Sequence, residues 1–174
     1  MYKNAIVIVL ILLAANVVAQ HKISFDLAAI RNMRLQINGS NISCFYHFNE
    51  HLVAGAEVNR FYPLKKTAEE GVNESSAWDF DYNMHYLIPL NKKLVFYPLT
   101  GFSHTSEKEM NTVTKESVYE RFWSFNTGAG FLYECGRWAP HIEYSFTWGH
   151  LNQQFLLAGI SYELEWGKAG KEHK

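Results

Sequence analysis

The stretch from Trp78 to Pro89 constrains the fold of this chain more than any other. Trp78, Phe80, Tyr82, Met84, Tyr86 and Ile88 alternate there with Asp79, Asp81, Asn83 and His85. A helix, turning ~100° per residue, would scatter those apolar side chains around its axis. An extended strand puts successive side chains on opposite faces and so gathers them on one. The stretch therefore reads as a strand with one aromatic face and one polar, acidic face. Such a strand needs partners, because an isolated pair is marginal in water.

Partners of the same kind follow. Glu120 to Trp148 reads as two strands joined by a tight turn at Cys135 to Arg137. In the first, Trp123, Phe125, Thr127, Ala129, Phe131 and Tyr133 oppose Ser124, Asn126, Gly128 and Gly130; in the second, Pro140, Ile142, Tyr144, Phe146 and Trp148 oppose His141, Glu143, Ser145 and Thr147. Asn41 to Phe48 alternates Ile42, Cys44, Tyr46 and Phe48 against Ser43 and His47, with Phe45 out of phase. Leu52 to Tyr62 sets Leu52, Ala54, Ala56 and Val58 against Gly55, Glu57 and Asn59. Gln154 to Trp166 sets Leu156, Ala158, Ile160, Tyr162 and Leu164 against Gly159, Ser161, Glu163 and Glu165. Leu94 to His104 alternates more weakly, with Pro98 and Gly101 as candidates for a bend or bulge. His21 to Ile30 is weakly strand-like, and Arg31 to Ser40 has turn chemistry at Asn38-Gly39. Lys65 to Ala77 and Ser106 to Ser117 are polar and read as long exposed loops.

Eight strands result, each near the ~9 to 11 residues that a tilted strand needs to cross a bilayer. Short connections at Asn49, Asn91 and Gly136 alternate with mostly longer ones, the rhythm of an up-and-down antiparallel barrel. The fold class expected is all-β, an eight-stranded up-and-down antiparallel transmembrane β-barrel. An even strand count puts both ends of the barrel domain on the periplasmic side. Cys135 to Arg137 should then be a periplasmic turn, with Trp123 and Trp148 near the outer interface and Tyr133 near the inner one. Composition agrees: hydrophobic residues make up 48% of the chain although its mean hydropathy is -0.19, so apolar residues are interspersed rather than gathered in runs. That excludes a helical membrane protein. A net charge of -1 gives no electrostatic argument for nucleic acid as a partner. Cys44 and Cys135 fall on well-separated segments and are expected to be free.

Residues 1 to 19 carry Lys3, an apolar run from Ala5 to Ala15, and then Val17, Val18 and Ala19. That is the layout of a secretory signal peptide cut before Gln20, its apolar run well short of the ~20 residues of a spanning helix. No cysteine follows the cut, so a lipoprotein anchor is not indicated. The expected organisation is a signal peptide over 1–19, an outer-membrane barrel over 20–166 and a short periplasmic tail over 167–174.

The export signal and eight-strand rhythm combine with Asn126-Thr127-Gly128-Ala129-Gly130-Phe131-Leu132-Tyr133 and Pro140-His141-Ile142-Glu143-Tyr144. Gly159-Ile160-Ser161-Tyr162-Glu163-Leu164 completes the set. On these features the mature chain resembles the small eight-stranded outer-membrane β-barrel superfamily that includes the OmpA transmembrane domain and the OmpX-like barrels. The resemblance covers the whole mature chain at the level of pattern. It implies location in the outer membrane of a Gram-negative-type cell, contact with outer-membrane lipid, and handling by barrel-assembly machinery that reads the last strand. Such barrels often end on an aromatic; here Trp166 is followed by Gly167 to Lys174, so the signal ends at either Leu164 or Trp166.

In a barrel of this type the polar faces turn inward. The lumen-facing set is then Glu57, Asn59, Asp79, Asp81, His85, Asn126, His141, Glu143, Ser145 and Glu163, with Glu165 beyond it. The lipid-facing aromatics are Trp78, Phe80, Tyr82, Tyr86, Trp123, Phe125, Phe131, Tyr133, Tyr144, Phe146, Trp148 and Tyr162. The interior of an eight-stranded barrel is just wide enough for side chains to fill it, so packing is expected rather than a conducting pore. Acids exceed bases on the inward face, and His85, His141 and the rim residues Arg60 and Arg121 are the candidates to balance them.

Two chemical motifs are weaker. His47-Phe48-Asn49-Glu50-His51 matches H-x-x-E-H, but zinc-protease chemistry needs both histidines on one face of a helix, and these five residues span a strand end and a turn. Ser103, His104 and Ser106 suggest a hydrolase pair, yet no orienting acid accompanies them. The sequons at Asn38, Asn41 and Asn73 read as chance matches. No catalytic residue, metal or cofactor is expected. The function expected is a structural, loop-presenting or complex-subunit outer-membrane barrel, its loops being Arg31 to Ser40, Lys65 to Ala77 and Ser106 to Ser117. The alternative is a secreted, soluble lipocalin-like barrel binding a small apolar ligand, which would turn its apolar faces inward.

Overall fold

The computed structural model describes residues 21–68, 71–111, 113–150 and 152–166. The expected signal peptide and C-terminal tail lie outside these residues. Nine strand segments follow one another: β1 (His21–Asn32), β2 (Ile37–His47), β3 (Leu52–Ala68), β4 (Gly71–Tyr86), β5 (Ile88–Pro89), β6 (Leu94–Asn111), β7 (Ser117–Tyr133), β8 (Trp138–Gly149) and β9 (Gln153–Trp166). Sequence neighbours pair antiparallel except β4 and β5, which both pair with β6, and β9 returns to β1. β5 continues the line of β4 along β6, so the nine segments make eight staves of a closed barrel. Closure leaves no stave with a free edge along the barrel wall.

The break between β4 and β5 has a local cause. Pairing of β4 with β6 stops at His85↔Leu99 and resumes at Ile88↔Phe96, opposite Pro98. Proline has no N–H to give to a ladder. Leu87 N donates instead to His51 O at 2.7 Å. Pro98 thus interrupts its neighbour's ladder rather than bending β6.

One end of the barrel is made of tight turns. At Asn49 the side-chain Oδ1 accepts from His51 N and Leu52 N, both at 2.8 Å, and at Asn91 it accepts from Lys93 N and Leu94 N, both at 2.9 Å. An asparagine bonding its own backbone in this way mimics a turn. The third turn uses Gly136, whose φ of 69° suits glycine. These are the turns expected at Asn49, Asn91 and Gly136.

The other end differs from expectation in two respects. Asn38-Gly39 is not a turn: β1 runs to Asn32, β2 starts at Ile37, and Gly39 pairs with Ile30 and Phe61. Glycine is there for space, since a Cβ at Gly39 would stand inside van der Waals contact of Arg60 O. Lys65 to Ala77 and Ser106 to Ser117 are not loops but mostly strand. β2 stops pairing β3 at Phe61 and β8 stops pairing β7 at Ser124, whereas β3 pairs β4 up to Ala68↔Gly71, β4 pairs β6 up to Asn73↔Asn111, and β6 pairs β7 up to Met110↔Ser117. Four strands therefore rise past the barrel as a flap. A register shift between Phe61 and Leu64 marks its base, at Tyr62-Pro63, where proline again cannot join the ladder.

Candidate functional site

Burial alternates along the staves within the barrel wall, and the inward face holds three levels. Nearest the flap, Ala28, Ile30, Ile37, Phe61, Phe155 and Leu157 form an apolar cluster, with Leu35 and Ala77 against it. The Phe61 and Phe155 rings lie 5.6 Å apart, reaching toward each other from β3 and β9. Beside them Asn32 Nδ2 donates to Gln153 Oε1 at 2.7 Å. This level caps the lumen at the flap end.

At mid-height lies a polar network. Asn41 Nδ2 donates to Glu57 Oε2 at 3.0 Å and to Asn59 Oδ1 at 2.7 Å; Asn59 Nδ2 donates to Asp81 Oδ2 at 2.7 Å; Asn83 Nδ2 donates to Glu57 Oε1 at 2.6 Å. Asn126 Nδ2 donates to Asn83 Oδ1 at 3.3 Å, and Thr147 Oγ1 to Asn126 Oδ1 at 3.1 Å. The chain of bonds crosses from β2 to β8. Amide donors opposite carboxylate acceptors are what lets acids be buried, since an unpaired buried charge costs several kcal/mol or about that order.

Below the network, toward the turns, the lumen opens into a cavity of about 580 Å³. Phe45, His85 and Tyr97 form a stack on its wall, with ring centroids 4.4 Å and 4.9 Å apart. Tyr97 Oη donates to Glu143 Oε2 at 3.2 Å. His141 Nδ1 lies 3.5 Å from Asp26 Oδ1 without a hydrogen bond, and Asp26 Oδ1 accepts from Ser161 Oγ at 3.2 Å. At the mouth Lys22 Nζ is 2.6 Å from Glu163 Oε2. The barrel interior is thus filled over its flap-end and middle levels and hollow at its turn end.

Of the polar residues expected in the lumen, Glu57, Asn59, Asp79, His85, Asn126 and Glu143 are buried there, and Asp81, His141, Ser145 and Glu163 are half-buried on the same inward faces. Arg60 and Arg121 do not balance the acids. Both point outward, Arg60 with its guanidinium 4.6 Å from the centroid of the Trp78 ring. Six inward residues escaped that selection although they organise the site: Lys22, Asp26, Asn41, Phe45, Asn83 and Tyr97. Asn83 sits in the clearest alternating stretch. Phe45 was visible only as a break in phase, because an aromatic turned into the lumen looks like an error in the pattern.

Of the aromatics expected on the outer face, Trp78, Phe80, Tyr82, Tyr86, Trp123, Phe125, Phe131, Tyr133, Tyr144 and Trp148 are exposed. Phe146 and Tyr162 are half-buried there, against Trp148 at 4.2 Å and Trp138 at 4.6 Å respectively. The histidines of the H-x-x-E-H stretch have separate partners: His47 Nε2 is 3.2 Å from Ser24 Oγ, and His51 Nδ1 is 3.0 Å from Leu87 O. Ser103 is buried in the lumen whereas His104 lies outside against Trp123, at 4.9 Å. They stand on opposite sides of the wall. Cys44 and Cys135 are both exposed and free.

The polar lumen and apolar exterior decide between the two barrel types, because a lipocalin-like barrel has the opposite arrangement. The chain has the fold of the small outer-membrane β-barrels. The N-terminal barrel domain of Pseudomonas aeruginosa OprF is 13% identical, with a TM-score of 0.63 over 83% of this chain and 98% of that one. Neisserial surface protein A is 10% identical, with a TM-score of 0.62 over 84% and 97%. Ail, the attachment invasion locus protein of Yersinia pestis, is 14% identical, with a TM-score of 0.55 over 83% and 97%. No protein-family model and no curated sequence matches the chain.

Proposed function

We propose that this chain is an integral outer-membrane β-barrel of a Gram-negative-type envelope, with a structural, strand-presenting or complex-subunit role and no catalysis. One observation carries the reading: side chains that a soluble protein would bury cover the outside of the closed barrel. Leu27 is 61% exposed, Ile42 64% and Phe102 58%, while Asn41 is 0% exposed inside. Hydrocarbon is the solvent that makes this distribution favourable. The location of the similar barrels supports the same setting. On this reading the tight turns face the periplasm and the flap projects outward, presenting paired strands rather than loops. On the same reading outer-membrane lipid and the barrel-assembly machinery are its partners, and the flap is the surface a larger outer-membrane complex would use.

Fractionation tests the reading. The protein should sediment with outer membranes through high-salt and carbonate washes and come free only with detergent; recovery from the soluble periplasmic fraction would overturn it. A pull-down from detergent-solubilised membranes then separates a free-standing barrel from a subunit, by the presence of a stoichiometric companion.

A further inference from the structure

The cavity at the turn end has a chemistry that the membrane reading does not use. Seven of the side chains lining it are carboxylic, against one permanently charged cation among the described residues, Lys22. That ammonium is already held by Glu163. Deeper in, Asp26 and Glu143 meet hydroxyl groups and His141, and Glu57 meets amides. A carboxyl group buried against neutral donors is costly to ionise, and a cation placed among such groups removes much of that cost. A second feature is independent of the acids. His85 is 9% exposed, lines the cavity between Phe45 and Tyr97, and its Nε2 has no hydrogen-bond partner in the structure. A neutral imidazole presents an acceptor of the kind an N–H donor would use.

We propose that the turn-end cavity binds a small, donor-rich organic cation of the aliphatic diamine or polyamine class. Three properties favour that class. The carboxyl groups are spread along the cavity, and no three His, Cys, Asp or Glu side chains among the described residues converge as metal ligands. Charge has to be met at separated points, which an extended cation with several ammonium groups does. The walls between those points include Phe45, Val53, Leu132 and Leu157, surfaces suited to methylene segments. Lys22 shows the interaction in miniature, an alkyl ammonium 2.6 Å from a carboxylate at the same mouth. A quaternary ammonium has no N–H for His85 and should bind less well.

The test uses the mature chain refolded in detergent micelles, titrated with spermidine and putrescine by calorimetry. Choline serves as the cation without N–H donors and 1,4-butanediol as the neutral chain. Spermidine should bind saturably at one site, choline about tenfold more weakly, and butanediol not at all. Asp26→Asn and Glu143→Gln should each weaken spermidine about tenfold, the scale of one charge-assisted hydrogen bond. Glu120→Gln, on the exposed flap, should leave it unchanged. Should either cavity variant fail to fold, nuclear Overhauser contacts between spermidine methylenes and the Phe45 and Tyr97 rings in the unsubstituted protein provide the same decision. Absence of saturable binding, equal affinity across the three variants, or contacts confined to outward-facing residues would each overturn the proposal. Titration in micelles does not depend on where the barrel resides in the cell, so its failure is distinct from failure of the membrane reading.

Discussion

The Tyr97 ring lies directly against Gly130, its register partner on β7, so closely that a Cβ at Gly130 would stand inside van der Waals contact of Tyr97 Cζ and Oη. The same pairing of an inward aromatic with an inward glycine on the next stave recurs at Phe45 with Gly55 and at Phe61 with Gly39. A barrel this narrow admits a large side chain only where its neighbour is small. Tyr97 cannot swing aside freely, because it is 3% exposed and stacked on His85 at an interplanar angle of 15°. Gly130→Ala should therefore destabilise the barrel by about 1–3 kcal/mol, the range for overpacking a filled interior. Reversible urea unfolding in lipid vesicles would measure it. In a Tyr97→Leu background the same substitution should cost at least about 1 kcal/mol less, as expected for residues in contact; equal costs in both backgrounds would refute the steric account.

Asn41 joins the two halves of the mid-height network and is 0% exposed. Its Nδ2 supplies a donor to Glu57 and to Asn59 at once. Asn41→Ala removes both bonds and leaves acceptors buried without them, so a loss of about 2–3 kcal/mol is expected. Asn41→Asp should be worse at neutral pH, because it sets a carboxylate beside Glu57 and replaces a donor by an acceptor. Its deficit relative to Asn41→Ala should shrink as pH falls, since a protonated carboxyl regains a donor. Urea midpoints of the three proteins compared between neutral and acidic buffer would show a crossing or converging pair; parallel lines would count against the network as drawn.

Ile42 distinguishes a lipid exterior from an aqueous one. It pairs with Leu27 and Val58 midway along the staves and is 64% exposed. An arginine at the bilayer midplane of such a barrel costs about 2–4 kcal/mol, falling toward zero near the interfaces. Ile42→Arg should show that penalty in phospholipid vesicles, and Ser106→Arg, beside Arg121 at the base of the flap, should show little of it. In a protein whose exterior faced water, Ile42→Arg would be close to neutral.

The period-two pattern alone makes the staves, their faces and the positions of the tight turns readable. Phe80 and its neighbour Asp81 must take opposite faces of a strand. The pattern was silent on height. Nothing in the alternation says that Phe61 and Phe155, on staves three apart around the wall, meet at one end while Asp26, Glu57 and Glu143 border a cavity at the other. It also failed where neither face is apolar. Ser106, Lys108 and Glu109 look like loop residues because polarity is the cue for a loop, yet their backbones continue a ladder begun by Leu94 and Tyr133. Once a hairpin is in register, backbone hydrogen bonding carries it on with little help from side chains.

The flap's tip can on that account be removed without unfolding the barrel. The apolar cluster that caps the lumen reaches into the flap's base through Phe61 and Ala77 but includes no residue of the β6–β7 tip. Lys108 faces Tyr119 and Glu109 faces Val118 across the hairpin, so replacing Met110 to Ser117 by Asn-Gly leaves a pair closed by a two-residue turn. The shortened protein should refold in detergent with a urea midpoint within about 0.5 kcal/mol of the parent, the scale of changes at exposed positions. Lys108 over the Tyr119 ring, at 5.6 Å, would remain in place. If the flap docks a partner in the envelope, the same deletion should abolish its recovery in a pull-down while membrane fractionation stays as before. A shortened protein that no longer folds would instead show that the tip helps to hold the staves in register, and would assign the flap a structural role.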